Sequence, residues 1–313
     1  MLFFCLAFAC KDDNAKETEI AKLNIDITIE RFDVLYANAT AKDLPELKRA
    51  YPFMFSKKVT DSFWIAKMRD TLELELAHEV SKTFTNTDIL EGEIENLYNH
   101  IAYYFPEFTP LRIITTTSMV DYRNSVIVTD TIALLALDNY LGENHHFYVG
   151  IQEFLRKNFK PSQIVVDLAK KHAMRYIHQP YRKTLLDEMI YHGKILYFLD
   201  MVLPNTLEAQ RISYTNSELS WAKVNEAYIW RYFIERELLY STDTKLPNRF
   251  INPAPFSKFY LEEIDTDSPG RLGQFIGWQI VKSFMNANDT TLRDMLKMNP
   301  ETIFNDSRYK PKK

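Results

Sequence analysis

Seven histidines and a scatter of carboxylates are the side chains here that could bind a metal or move a proton. His78-Glu79 begins like the zinc pattern H-E-x-x-H, in which two imidazoles four residues apart share one helical face. The residue four after His78 is Lys82, so that pattern fails. His172 and His178 are six apart and fall on different helical faces, and the adjacent His145 and His146 diverge too. His172 and His192 are separated by about one helix-turn-helix and could meet in space, with Asp167 or Asp187 as a further ligand. They are the weak metal candidates. Surface or capping histidines are the simpler reading, so no metal or other cofactor is expected. Glu226 and Glu237 sit roughly three turns apart, too far for paired acid–base work. There is no G-x-S-x-G, P-loop or G-x-G-x-x-G, and no catalytic residue is assigned.

The run Ser268-Pro269-Gly270-Arg271-Leu272-Gly273-Gln274-Phe275-Ile276-Gly277-Trp278 holds three of the 7 glycines. Pro269 suits a first helical turn. Free N–H groups at Gly270 and Arg271, with the guanidinium, could bind an anion there. Gly273 and Gly277 form one smooth helical stripe. Close packing of that stripe against a bulky neighbour is the preferred reading, with Trp278 supplying bulk on the adjoining face.

The elements that must position these residues are legible in outline. Charged residues at 26% and apolar residues at 46% fit an ordinary folded domain. A net charge of −4 and a pI near 6.0 argue against nucleic acid as a partner. Few glycines, with 18 Tyr and 21 Phe, point to helices with aromatic packing. Ile25, Ile27 and Ile29 alternate as a strand does, and Arg112 to Thr117 and Val126 to Val128 are β-branched runs. Trp64, Met68, Leu72, Leu76 and Val80 form one helical stripe. Ile94 to Phe105 forms another, starting near Asn86 or Thr87 and stopped by Pro106. Further helices are expected at about 131–140, 144–158, 162–178, 183–202, 216–241, 270–286 and 289–297. In the helix 216–241, Trp230, Phe233, Ile234 and Leu238 make the apolar stripe. Leu246 to Pro269 reads as a long ordered loop. The fold class is therefore mainly α, an α+β single domain of many helices with a small β-sheet.

The first residues read as an address. Met1 to Ala9 is apolar and uncharged, too short to cross a bilayer, and ends abruptly at Cys10-Lys11-Asp12-Asp13. Leu6-Ala7-Phe8-Ala9-Cys10 resembles a bacterial lipobox, which implies cleavage before Cys10 and acylation of its thiol. The absent basic n-region points to a start upstream of Met1. Cys5 would leave with the signal, so no disulfide is expected. The expected division is a signal peptide over 1–9, a lipid anchor and polar tether over 10–22, and one α-rich domain over 23–313.

Several blocks together resemble the gliding motility lipoprotein GldB family of Bacteroidota. They are Ile29-Glu30-Arg31-Phe32-Asp33, Tyr103-Tyr104-Phe105-Pro106, Asp138-Asn139-Tyr140-Leu141-Gly142, Met189 to Phe198, Asn225 to Trp230, Leu239 to Asp243, Arg249 to Tyr260, the Ser268 to Trp278 run and the terminal Tyr309 to Lys313. The resemblance implies a cell-envelope lipoprotein needed for gliding and linked to type IX secretion. Its implied partners are protein components of that machinery, with the membrane reached through a lipid anchor. Helix 183–202 also distantly resembles a segment of predicted zinc proteases. The helix before it, Val166 to Tyr176, lacks their histidine motif. A degenerate zincin-like shape, an unusual metal-dependent hydrolase and a peptide-binding envelope module therefore stand as alternatives to a non-enzymatic scaffold.

Overall fold

A computed structural model describes residues 9–179 and 181–312, so the expected signal peptide lies outside the described residues except for Ala9. Among these, seven helices have ten residues or more: α1 (Ala9–Ile20), α2 (Thr71–Thr83), α3 (Asp88–Tyr104), α4 (Ile164–Tyr176), α5 (Leu185–Val202), α6 (Glu226–Glu235) and α7 (Leu272–Ala287). Four short strands, β1 (Ile29–Glu30), β2 (Arg112–Thr116), β3 (Val126–Val128) and β4 (Ile132–Ala136), form one sheet in the order β1-β2-β4-β3. The chain is mainly helical with a small sheet, as its sequence implies.

β2 pairs in parallel with both β1 and β4, whereas β3 is an antiparallel edge. Both faces of the central strands are covered, which is why they read as continuous apolar runs. Alternation sorts their side chains. Ile113, Ala133 and Leu135 enter the main core with α3, α4, α5 and α7. Ile114 and Ile132 enter a smaller core with Phe32, Leu44, Leu47, Tyr51, Phe55 and Met68. Ile25 to Ile29 forms less strand than expected, since only Ile29 and Glu30 pair with β2. The N–H groups of Ile25, Ile27 and Ile29 instead donate to Asn99 Oδ1 (3.0 Å), Glu95 Oε1 (3.1 Å) and Glu91 Oε1 (2.8 Å). These acceptors lie four residues apart on one face of α3, so a helix supplies the partners of a sheet edge.

The central helical pair is α5 against α7. α5 is set by a capping box in which Thr184 and Asp187 bond each other's backbone N–H. The two helices cross at Gly193 and Gly277. A Cβ on Gly277 would lie 1.8 Å from the Met189 carbonyl oxygen. Close packing is thus what the glycine stripe does: Gly277 meets the bare backbone of Met189, whereas Gly273 meets bulky neighbours, with Ile251 Cδ1 2.7 Å from an added Cβ and Phe250 beside it. Trp278 is fully buried and donates through Nε1 to Asp200 Oδ2 at 2.7 Å.

Several expected elements differ. The stretch 131–140 is β4 followed by a 3₁₀ turn, because a short apolar run has no period that separates a buried strand from a helix. The stretch 144–158 holds only the short turns His146–Tyr148 and Glu153–Arg156, with Gly150 between them at φ +90. The helix expected over 216–241 is broken at Asn225 into Asn216–Val224 and α6. Phe233 of its stripe is buried, yet Ile234 is 48% exposed and Trp230 only partly covered. The stripe from Trp64 to Val80 is likewise two helices, and Asp70 caps the second through Leu72 and Glu73 N–H. Leu246 to Pro269 contains the short helices Leu246–Phe250 and Glu262–Asp265. The polar tract expected as a solvated tether is helical, and its end docks on α3. Ile20 is buried, Glu17 Oε2 lies 3.4 Å from His100 Nε2, and Lys16 sits over the Tyr104 ring.

Candidate functional site

Asp167 and Lys170 stand one turn apart on α4, whose other near residues Val165, Val166, Leu168 and Ala169 are buried. They face a cleft of about 440 Å³ that is also lined by Arg123, Ser125, Asn139, Tyr140, Ser213 and Arg271. The turn before β3 brings Arg123 and Ser125, and the 3₁₀ turn after β4 brings Asn139 and Tyr140. Ser213 ends the short helix Glu208–Ile212, and Arg271 opens α7. Parts of the chain distant in sequence thus converge on one polar recess.

The side chains are cross-linked. Lys170 Nζ lies 3.3 Å from Asp167 Oδ1 and donates to Ser213 Oγ at 2.8 Å. Tyr140 bonds through its hydroxyl to Asp167 Oδ2 and Ser125 Oγ, both at 3.1 Å. Arg271 Nη1 donates to the carbonyls of Ile212 (3.3 Å) and Ser213 (3.4 Å). Arg123, Lys170 and Arg271 outnumber Asp167, so the recess is positive within an acidic chain. Burial lowers the pKa of Lys170, against the pull of Asp167, and burial also lowers that of Arg271. Burial and then Asp167 raise the Tyr140 phenol well above its ordinary value, so it serves as a hydrogen-bond donor.

Two lining residues, and the turn ahead of Arg123, have left-handed backbone. Ser213 and Arg271 have φ of 63 and 61, and Met119 and Val120, in the turn leading to β3, have 58 and 57. A left-handed valine is unusual, because its branched Cβ crowds the backbone. The buried Asp138 carboxylate holds it there by accepting the N–H groups of Ser118 (3.0 Å) and Val120 (2.7 Å). Such strain concentrates at functional places.

The sequence-predicted residues separate. Arg271 lines the cleft. Gly270 does not; it is buried, and a Cβ there would meet the Ala254 carbonyl at 2.5 Å. The first helical N–H, of Leu272, donates to Ser257 Oγ. His172 packs edge-on against Tyr98 and Phe108, and burial lowers its pKa to about 3. His192 lies 4.0 Å from Glu188, and burial followed by the cations Arg182, Arg271 and Lys170 lowers its pKa to about 3. Asp167 bonds Tyr140 and Lys170, and Asp187 caps α5, so neither joins the histidines. Among the described residues no group of three or more His, Cys, Asp or Glu side chains is placed to hold a metal. Sequence reasoning missed Lys170, Tyr140 and Ser213. The available signal was the opposite-charge pair Asp167 and Lys170 at i and i+3, on a helix that also carries Lys171 and Arg175.

The family model described as gliding motility protein GldB matches residues 13–311. The chain belongs to the GldB family. No curated protein and no solved structure matches it. Membership covers every residue of the cleft and makes the chain a gliding-motility protein. Cys10 falls just ahead of the matched stretch. No helix among the described residues is long and apolar enough to cross a membrane.

Proposed function

We propose that this chain is a lipid-anchored, non-enzymatic binding protein of the cell envelope, a scaffold of the gliding apparatus and its associated type IX secretion machinery. The observation that carries the reading is the GldB match over residues 13–311, with a lipobox-like Leu6-Ala7-Phe8-Ala9-Cys10 directly before it. A lipidated Cys10 holds the body at a membrane without any spanning helix, since each buried CH₂ of an acyl chain contributes about 0.8 kcal/mol. The cleft adds support as a cross-linked polar recess, in which Asp167 is tied to Lys170 and Tyr140, and Lys170 to Ser213.

The test replaces Cys10 with Ala in cells. The expected result is loss of the acyl modification by mass spectrometry, release of the protein from the membrane fraction and loss of gliding. His192→Ala, at normal protein level, is expected to leave gliding intact. An unmodified Cys10 thiol in native cells, or hydrolysis of any substrate by the purified chain, overturns the proposal.

A further inference from the structure

We infer that the Lys170–Arg271 cleft binds a small amphipathic acid, its single carboxylate on the two cations and its apolar body along the wall of Tyr122, Phe154, Leu155 and Phe159. The donors for the acid are open. Arg271 spends Nη1 on the carbonyls of Ile212 and Ser213, and its Nε and Nη2 have no partner among the described residues. Neither of these two atoms is fully buried, so both can be reached from solvent. They share one edge of the planar guanidinium, where the N–H groups run parallel and meet both oxygens of a carboxylate. Lys170 meets Arg271 at Ser213, bonding its Oγ at 2.8 Å where Arg271 bonds its carbonyl. The Lys170 side chain is 27% exposed, so it too is accessible.

The charge around these donors calls for one negative charge. Asp167 is the acid beside Lys170, and it also takes a bond from Tyr140. Glu218, the other acid that acts on Arg271, is spent on Lys157 at 2.5 Å. Two cations around Asp167 leave one positive charge without balance. Burial lowers the Lys170 pKa; Asp167 opposes that shift and Arg271 adds to it. A bound monoanion removes this repulsion. A phosphate dianion would set its second charge against Asp167, which lies 3.3 Å from Lys170 Nζ.

The opposite wall favours an acid that carries an apolar body. Phe154 and Leu155 come from the short helix Glu153–Arg156 and are partly exposed. The Tyr122 and Phe159 rings lie beside each other, 5.7 Å between centroids. A recess of about 440 Å³ has the size of a small-molecule site, and an apolar lining with a few convergent polar groups is the usual make-up of one. An inorganic anion would satisfy the cations and leave this wall unused.

Such a site rests on the binding-protein reading, but its test reads neither anchoring nor motility, so either can fail alone. The full-length chain is placed in equilibrium dialysis against naphthoate, with the same detergent in both chambers. Naphthamide keeps the body without the charge, acetate keeps the charge without the body, and naphthyl phosphate exchanges the head. Saturable binding of naphthoate is expected, with the amide and acetate each weaker by roughly tenfold or more and naphthyl phosphate weaker than naphthoate. Arg271→Gln and Lys170→Gln should each weaken naphthoate roughly tenfold, as should Phe154→Ala, whereas Lys223→Gln, outside the cleft, should not. Should Arg271→Gln fail to fold, Lys170→Gln decides. No naphthoate bound at about 1 mM, equal binding of the amide, acetate held as tightly as naphthoate, or tighter binding of naphthyl phosphate would each overturn the assignment. Unchanged binding by an Arg271, Lys170 or Phe154 variant that melts like the wild type would do the same.

Discussion

Gly193 and Gly277 let α5 and α7 touch backbone to backbone: a Cβ built on Gly193 would stand 2.3 Å from the Gly277 carbonyl oxygen. Small residues at a crossing bring two helices closer than ordinary side chains allow, and buried side chains around it then interlock. α7 also bears on the cleft, which Arg271 at its start lines.

Gly277→Ala should destabilise the fold by about 3 kcal/mol or more, since overpacking against rigid backbone strains both helices. Gly92 is the internal control. It lies within α3 with nothing within 4 Å of an added Cβ, so Gly92→Ala should stabilise by about 0.5–1 kcal/mol. Denaturant melts of the two variants measure the contrast. A loss below that of an ordinary surface substitution at Gly277 would show that the helices do not meet there.

His172 should make the protein acid-sensitive. Burial, helped by Arg175, holds its folded pKa at about 3, below the ordinary 6.5. Between these values the unfolded chain binds a proton that the folded one refuses, so stability is lost as pH falls through this window. The contribution is about 3 kcal/mol between pH 7 and 4. His172→Phe keeps the edge-on contacts to Tyr98 and Phe108 and should flatten the slope of unfolding free energy against pH by that amount. An unchanged slope would mean the imidazole is solvated.

Much of this architecture was open to sequence reading where apolar periodicity ran long. The expected helices at 183–202 and 270–286 agree with α5 and α7 within a few residues, because caps and glycine spacing mark them. The strands from Arg112 and Val126 were legible from β-branching. β4 was not, since Ile132 to Ala136 becomes a strand only by pairing with β2. The site was half legible. Arg271 stood out by its company of glycines, and Asp167 was weighed as a ligand. Lys170, Ser213 and Tyr140 gain meaning only when α4, the turn after Ile212 and the turn after β4 meet, and spacing along the chain does not encode that meeting.

Val120 offers a test of strain. Its φ of 57 is imposed by the Asp138 carboxylate through the Val120 and Ser118 N–H groups. Asn tolerates the left-handed region far better than a β-branched residue. Val120→Asn should therefore raise the unfolding free energy by about 1 kcal/mol. Asp138→Ala, which leaves those N–H groups without their acceptor, should lower it by about 1–3 kcal/mol. Thermal melts of both variants check the pair, and a destabilised Val120→Asn would place the strain elsewhere.

Lys194 should give the opposite pH signature to His172. It is fully buried in α5, and its Nζ donates to the carbonyls of Leu296 (3.3 Å) and Met298 (2.7 Å), where the short helix Leu292–Lys297 ends. These carbonyls have no further helical turn to accept from, so a lysine is a fitting cap. Burial lowers its pKa from 10.5 to about 8. Above pH 8 the folded protein releases the proton while the unfolded chain still holds it. Stability from this group therefore rises between pH 8 and 10, by about 2 kcal/mol. Lys194→Met keeps the length of the side chain and removes the titration, so the difference in unfolding free energy between wild type and variant should grow across that range. A difference independent of pH would show that Lys194 reaches water in the folded state.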